Sequence, residues 1–164
     1  MNDYQFRKFT DADKEAVTSI FNYYIENSLA AYPQKKMGPE FFVMLNQMVL
    51  NNTFYVLENS LKEVVGFGLL HYLKKMDTFK ASAEVSYFLL PGYNKQGLGT
   101  ELLTILTREA QRLGILTLFA EICSKNEASL NFHLKNGFHE CGRFEKVGNK
   151  NGTIFDIVWM QKFI

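Results

Sequence analysis

Two glycines separated by one residue stand near the middle of the chain, in the run Asn94-Lys95-Gln96-Gly97-Leu98-Gly99-Thr100. An apolar segment with strand character precedes this run, and leucines at helical spacing follow it. The first N–H groups of a helix have no partner within the helix and carry positive partial charge, and glycine lets a phosphate approach them closely. The hydroxyl of Thr100 and the ammonium of Lys95 would add donors. The run therefore predicts a phosphate-binding loop.

The spacing of the glycines separates this loop from better-known phosphate loops. It lacks the GxxxxGK[ST] pattern of loops that bind ATP or GTP, and it lacks the third glycine of the dinucleotide fingerprint. A glycine pair of this kind, taken alone, also fits a tight turn that binds nothing. The pattern therefore disfavours ATP and NAD as ligands. Other features of the sequence are needed to identify the ligand of this loop.

The composition excludes several classes of function. Hydrophobic residues make up 47% of the 164 residues, charged residues make up 21%, and the net charge is +1. These values are typical of an ordinary globular domain, and the charge provides no long-range field that would attract nucleic acid or an anionic membrane. We therefore expect one domain over residues 1–164, with no nucleic-acid partner and no membrane partner.

The cysteines and histidines give two further expectations. Cys123 and Cys141 form no Cys-x-x-Cys pair, and no signal peptide precedes Tyr4, so we expect a cytoplasmic protein. His71, His133 and His139 do not stand at a metal-ligand spacing, so we predict no metal.

The hydrophobic pattern predicts an α/β fold. Thr10, with Asp13 three residues later, is typical of a capping box that opens a first helix, and Gly38-Pro39 indicates the start of a second. Two further helices are predicted over 98–113 and 127–136. The predicted strands are 4–9, 53–58, 64–72, 84–90, 116–123, 138–147 and 154–163. This order indicates a mixed, mostly antiparallel twisted sheet with about four helices.

Several segments of the chain resemble the GNAT acetyltransferases. That family binds phosphate with the signature Gln/Arg-x-x-Gly-x-Gly/Ala after a bulged strand, and the loop fits it except that Asn94 replaces the usual Gln or Arg. The segment 22–28 is similar to the first helix of the branch that acetylates phosphinothricin and methionine sulfoximine, and 129–138, 147–152 and 156–161 are similar to its C-terminal half. The resemblance covers nearly the whole chain. It implies a bulged, splayed central strand, acetyl-CoA as cosubstrate and a homodimer.

The same resemblance implies a reaction. An acetyl group would move from acetyl-CoA to the primary amine of a small molecule, an amino acid or an analogue, by direct attack without a covalent enzyme intermediate. Glu84 corresponds to the general base that deprotonates the amine, and His133 to the acid that protonates the leaving thiolate. A solvent-exposed strand glutamate and a packing histidine are the structural alternatives for these two residues. We assign no catalytic role to His71 or His139.

Cofactor contacts follow from the resemblance as well. Pantetheine amides can pair with an exposed strand edge, and a backbone N–H near Leu89 would stabilise the developing oxyanion. Asn126 and Ser129 match cofactor-contacting positions, although each also fits a helix cap. The predicted cofactor-binding residues are Tyr87, Phe88, Leu89, Lys95, Gln96, Gly97, Leu98, Gly99, Thr100, Asn126 and Ser129.

The acceptor site is where the chain departs most from this branch. The predicted acceptor-binding residues are Tyr32, Lys74 and Phe79. Met76 stands where the branch has a second cation, and a single lysine cannot form a bidentate clamp on a carboxylate. Two alternatives therefore stay open: a non-catalytic acyl-CoA sensor that keeps the loop, and an acetyltransferase of protein N-termini or lysines.

Overall fold

The computed structural model describes residues 4–94 and 96–164, and within them seven strands form one sheet. The strands are β1 (Tyr4–Lys8), β2 (Val49–Asn59), β3 (Val64–Tyr72), β4 (Ser82–Leu89), β5 (Thr117–Cys123), β6 (His139–Lys150) and β7 (Thr153–Phe163). Their spatial order is β1-β2-β3-β4-β5-β7-β6. Neighbouring strands are antiparallel except β4 and β5, which run parallel. The predicted mixed, mostly antiparallel sheet is confirmed.

Helices cover both faces of this sheet. They are α1 (Lys14–Asn27), α2 (Glu40–Met48), α3 (Leu98–Arg112) and α4 (Glu127–Lys135). Val17 of α1 and Phe41 of α2 pack with Phe67 on one face, whereas Leu102 of α3 packs with Leu70 on the other. Between Phe67 and Leu70, neighbouring side chains of β3 thus pack against different helices, as the alternation of side chains along a strand requires. No helix in the described part of the chain is both long and apolar enough to cross a membrane.

Two strands are longer than the sequence predicts. β2 begins at Val49 rather than at Thr53, because a register shift lies between Val49 and Phe54. Asn51 and Asn52 take positive φ angles of 42° and 58° there. Asparagine tolerates this left-handed conformation, so the two residues before the predicted strand form a bulge inside a continuous strand. β6 likewise runs to Lys150, through a register shift between Phe144 and Gly148.

The predicted capping box is present at the start of the first helical segment. The backbone N–H and the hydroxyl of Thr10 both donate to Asp13 Oδ2, at 2.8 and 3.0 Å. Arg7 donates to both carboxylate oxygens of Asp13 and to Glu58 Oε1, each at 2.7 Å. Arg7 is on β1 and Glu58 on β2, so one guanidinium ties the cap to the edge of the sheet.

The central strand β4 parts from β5 partway along its length. The parallel pairing consists of Ser82 with Thr117, Ala83 with Leu118 and Glu84 with Phe119. Beyond Glu84, β4 stays with β3 while β5 stays with β7. The predicted splay is therefore confirmed. The bulge that the resemblance implied is not seen between β3 and β4, because every residue from Gly66 to Tyr72 keeps one partner in a continuous register.

A buried lysine closes the C-terminal end of α1. Lys150 is only 4% exposed, and its Nζ donates to the carbonyls of Ile25 (2.6 Å), Ser28 (2.8 Å) and Ala31 (2.7 Å). Carbonyls in this position lack partners within the helix and favour a cation. Burial lowers the pKa of Lys150, but three acceptors use all three N–H bonds of its ammonium. The loop after α1 is thereby attached to the β6–β7 hairpin.

Removing this ammonium should destabilise the protein. In Lys150→Met the three carbonyls lose their common donor, and we expect the free energy of unfolding to fall by about 2–4 kcal/mol, since each unsatisfied buried polar group costs about 1–3 kcal/mol. Urea unfolding measures this change. Lys35→Met, at an exposed lysine, is the control and should change stability by less than about 0.5 kcal/mol. Equal stabilities of the two variants would contradict the anchoring role.

Candidate active site

A cavity of about 950 Å³ opens where β4 and β5 part. Its lining comes from α1, α2, the loop after α1, β3, β4, β5, the start of α3 and α4, so it reaches both faces of the sheet. This size matches the upper range of pockets that enclose a cofactor or a drug-sized ligand. The cavity is the candidate active site.

The glycine loop forms one end of the cavity. Gly97 has φ +80°, and a Cβ added to it would meet no atom within 4 Å, so glycine is needed there for its backbone conformation. The first bond of α3 runs from the N–H of Glu101 to the carbonyl of Gly97, at 3.0 Å. The N–H groups of the preceding residues have no partner within the helix. A Cβ on Gly99 would lie 3.3 Å from the Phe132 ring, so this glycine permits close packing against α4.

The loop residues contribute to the cavity in different ways. Gly97, Gly99 and Thr100 line it, and so does Asn94, which the predicted site residues did not include. Gln96 instead shapes the loop: its amide donates to the Gly92 carbonyl at 2.7 Å and its Oε1 accepts from the Tyr4 hydroxyl at 3.0 Å. The side chain of Leu98 is buried in the core, so only its main chain faces the loop. Lys95 lies outside the described residues.

The free edge of β4 forms the long wall. Tyr87, Phe88 and Leu89 all line the cavity, and they lie beyond Glu84, where β4 has no neighbour on the β5 side. Unpaired N–H and C=O groups along such an edge can pair with the amides of an extended ligand. The Tyr24 hydroxyl donates to the carbonyl of Leu89 and fixes α1 against this end of the strand.

A tyrosine and a histidine are paired on the face that carries α3 and α4. His133 is 3% exposed; its Nδ1 lies 2.8 Å from the Ser129 carbonyl and its Nε2 lies 2.5 Å from the Tyr87 hydroxyl. A carbonyl only accepts, so Nδ1 carries the ring proton, and Nε2 of the neutral ring accepts from Tyr87. Burial lowers the pKa of His133 and raises that of Tyr87 well above its usual value, so both groups are neutral at pH 7.

Helix α4 presents His133 through an ordinary cap. Asn126 Oδ1 accepts from the Ser129 N–H at 3.2 Å, and the side chains of both residues also line the cavity. Ser129 therefore belongs to the cap and also supplies the carbonyl that fixes the His133 ring. Both alternatives that the sequence left open for Asn126 and Ser129, a cap and a site residue, are compatible with this geometry.

Glu84 lies on the opposite face of the sheet. It is the last residue of β4 that pairs with β5. Its side chain is 17% exposed and its Oε2 lies 3.8 Å from His71 Nδ1. Burial, with a smaller effect from Glu121, raises the pKa of Glu84 to about 7. Burial also lowers the pKa of His71 to about 4, so this histidine is neutral, and its Nε2 lies 3.0 Å from Ser86 Oγ. His71, to which the sequence assigned no role, thus packs beside the candidate base.

A second carboxylate lines the same part of the cavity. Glu121 is on β5, and burial raises its pKa, an effect that the Tyr32 hydroxyl partly offsets. Tyr32 also lines the cavity, as the sequence predicted, and burial together with Glu121 raises its pKa. Sequence reasoning missed Glu121. Its signal was a carboxylate in a strand whose other side chains near it, Phe119, Ala120 and Ile122, are apolar.

The other predicted acceptor residues lie elsewhere in the single chain. Lys74 and Phe79 do not line the cavity. The Lys74 ammonium lies 4.8 Å from the centre of the Phe79 ring, in the exposed connection between β3 and β4. Their role in acceptor binding stays a prediction. Across residues 4–94 and 96–164, no cluster of His, Cys, Asp and Glu side chains could hold a metal ion.

Comparison with known proteins finds relatives that match nearly the whole length of this chain. The sequence profile of the acetyltransferase (GNAT) domain family matches residues 7–159. The L-methionine sulfoximine/L-methionine sulfone acetyltransferase of Salmonella typhimurium is 28% identical over 158 residues, which cover 94% of this chain and 91% of that protein. These matches agree with the resemblance found in the sequence.

Solved structures give the same result. A ribosomal-protein-alanine N-acetyltransferase from Brucella melitensis superposes with a TM-score of 0.87 at 30% identity, over 98% of this chain and 99% of that chain. A protein from Salmonella typhimurium, whose structure contains its cofactor acetyl-CoA, superposes with a TM-score of 0.87 at 26% identity, over 99% of this chain and 94% of that one.

The conformation of Gly97 should matter for cofactor binding. In Gly97→Ala, a left-handed residue with a Cβ costs about 1–2 kcal/mol, and the loop can relieve this strain only by turning its N–H groups. We expect the Kd for acetyl-CoA, measured by calorimetry, to rise by about tenfold. Gly142→Ala is the control, because Gly142 lacks a positive φ and an added Cβ meets no atom within 4 Å. An unchanged Kd in Gly97→Ala would argue against the phosphate loop.

Proposed function

Because the chain belongs to the acetyltransferase (GNAT) domain family and uses acetyl-CoA as cosubstrate, we propose that it acetylates the primary amine of a small molecule by direct attack. An amino acid or an analogue is the first acceptor class to test, since the Salmonella typhimurium relative is named for methionine sulfoximine and sulfone. One observation carries the proposal: a carboxylate with a pKa of about 7 lines the same cavity as the glycine loop.

The cavity fits acetyl-CoA in two respects. The unpaired N–H groups at the start of α3 suit a diphosphate, and the free edge of β4 suits the two amides of the pantetheine arm. When bound, acetyl-CoA supplies an activated acetyl carbonyl and a thiolate leaving group. The residues that would hold it are those of the loop from Gly97 to Thr100 and of the edge from Tyr87 to Leu89.

Glu84 is the proposed base. A primary amine arrives mainly as its ammonium. Glu84 lines the cavity, so its carboxylate can take that proton from an amine bound there. A carboxylate whose pKa is about 7 is half ionised at neutral pH, and when protonated it releases the proton readily to solvent. His71 stays neutral beside it, so no charge pulls the pKa of Glu84 down.

The proposed acid is the Tyr87–His133 pair rather than His133 alone. Nε2 of His133 carries no proton in the observed hydrogen bonds, whereas the Tyr87 hydroxyl does. Tyr87 therefore holds the proton that is available for a leaving sulfur. His133 orients that hydroxyl, and a proton taken up at Nε2 would restore it. The sequence analysis assigned the acid role to His133 alone and placed Tyr87 among the cofactor-binding residues.

The pH profile should report the base. Ionised Glu84 is the active form and it is lost below its pKa, so kcat/KM should rise with pH up to about 7 and then level off. Glu84→Gln should lower kcat by about 10²- to 10⁴-fold and remove this rise. CoA release is the measurement, and calorimetry checks that acetyl-CoA still binds. Glu15→Gln, at an exposed glutamate, should behave like the parent.

Two outcomes would change the proposed function. A profile in Glu84→Gln that matches the parent would remove Glu84 as the base. Tight acetyl-CoA binding without CoA release on any amine would favour the acyl-CoA sensor. The amines tested as acceptors should include a peptide that begins with alanine, because the Brucella melitensis relative is named a ribosomal-protein-alanine N-acetyltransferase.

A double-mutant cycle should show that Tyr87 and His133 act as a unit. We expect Tyr87→Phe and His133→Asn each to lower kcat by about 10- to 100-fold. The double variant should lie within about threefold of the slower single variant, because removal of either residue already breaks the pair. Pre-steady-state acetyl transfer gives the rates. If the decrease in kcat of the double variant equalled the product of the two single decreases, the two residues would act independently.

The homodimer that the resemblance implied stays a prediction. β6 is exposed along most of its length at the edge of the sheet, and Phe144, Val147 and Ile154 of the β6–β7 hairpin are large apolar side chains that are more than half exposed. We propose that a second copy of the chain covers this hairpin, since unpaired edges with apolar side chains favour association.

A further inference from the structure

The acceptor side of the cavity is acidic. Among the described residues that line the cavity, the Asp, Glu, Lys and Arg side chains are Glu84, Glu121 and Lys135. Lys135 is an exposed residue of α4, on the face that carries the Tyr87–His133 pair. The two carboxylates are on the other face, beside Tyr32. An acceptor that reaches Glu84 therefore enters a region with two carboxylates, a neutral imidazole at His71 and no lysine or arginine within the described lining.

The sheet register places the two carboxylates on the same face of the sheet. Glu84 is paired with Phe119 in the parallel ladder, so the two side chains lie on the same face. Glu121 is two residues further along β5 and returns to that face, with a rise of about 6.6 Å. Burial is the main cause of the raised pKa of Glu84, and the charge of Glu121 adds a smaller effect in the same direction. Glu121 is therefore a close neighbour of the proposed base.

Glu84 has a role in the proposed reaction, whereas Glu121 has none so far. A monoamine loses its only positive charge when Glu84 takes its proton, and it then leaves Glu121 partly buried without a counter-ion. An uncompensated carboxylate in such a place is unfavourable. A second cation on the acceptor would remain positive during the attack and would stay paired with Glu121.

We propose that Glu121 is an acceptor-binding residue that selects a dibasic acceptor, a small molecule with a second ammonium or guanidinium besides the amine that is acetylated. This inference rests on the proposed acetyl transfer and narrows its substrate class to diamines and basic amino acids. Tyr32 forms the wall next to Glu121, and the bonds from Lys150 to Ser28 and Ala31 hold the loop that carries it.

The experiment compares acceptors that differ only in the second cation. Putrescine and butylamine share a four-carbon chain, and lysine and norleucine form a second matched pair. CoA release gives kcat/KM for each at a pH above 7, where Glu84 is ionised. We expect the parent protein to prefer the dibasic member of each pair by about tenfold or more, the range expected for a close charge pair.

Glu121→Gln tests the assigned residue. It keeps the size of the side chain and removes its charge, and we expect the preference to fall to within about threefold. The ratio for a matched pair cancels any change that the substitution makes to Glu84 or to the chemical step. Glu15→Gln makes the same change of net charge outside the cavity and should keep the full preference. The melting temperature and the Kd for acetyl-CoA check that Glu121→Gln is folded.

Each outcome decides one point. Equal kcat/KM within the pairs for the parent, or a full preference in Glu121→Gln, would overturn the role of Glu121 while acetyl transfer stands. CoA release from no amine would overturn the proposed function instead. In that case calorimetry of putrescine with the CoA-bound protein decides the subsite: binding that Glu121→Gln abolishes supports it, and no binding overturns it.

Discussion

The hydrogen bonds between β4 and β5 stop after Glu84, and most of the candidate site depends on that point. Each strand keeps its other neighbour, so the two strands separate while both remain in rigid ladders. The gap supplies the cavity and leaves one edge of β4 free for a ligand. Glu84 lies where the gap begins, because it is the last residue of β4 that pairs with β5. The proposed base is thus held by neighbouring strands on both sides.

The alternation of side chains along β4 separates the two proposed proton-transfer groups. Glu84 and Tyr87 are three residues apart, so they project from opposite faces of the strand. Helix α4 adds His133 to the Tyr87 side, and β5 adds Glu121 to the Glu84 side. In the proposed reaction, an amine and a leaving sulfur therefore meet different groups across the gap, and proton uptake and proton release use different residues.

The sequence predicted the elements well, because each helix and strand carries a local pattern of apolar residues and turn signals. The bulge at Asn51 and Asn52 was missed, since a positive φ in two polar residues looks the same as the end of a strand. In the site, the glycine loop followed from local geometry, and Glu84 and His133 from the resemblance. The Tyr87–His133 bond and the approach of Glu121 to Glu84 join distant segments, and no local pattern encodes them.

Lys150 has a further consequence for a protein that handles a reactive thioester. Acetyl-CoA acylates free lysines slowly without any catalyst, and the reacting species is the neutral amine with its lone pair. The ammonium of Lys150 directs its three N–H bonds to three carbonyls and is almost inaccessible to solvent. It therefore offers no nucleophile. The lysine that anchors the loop after α1 is thus protected from acylation by the cosubstrate.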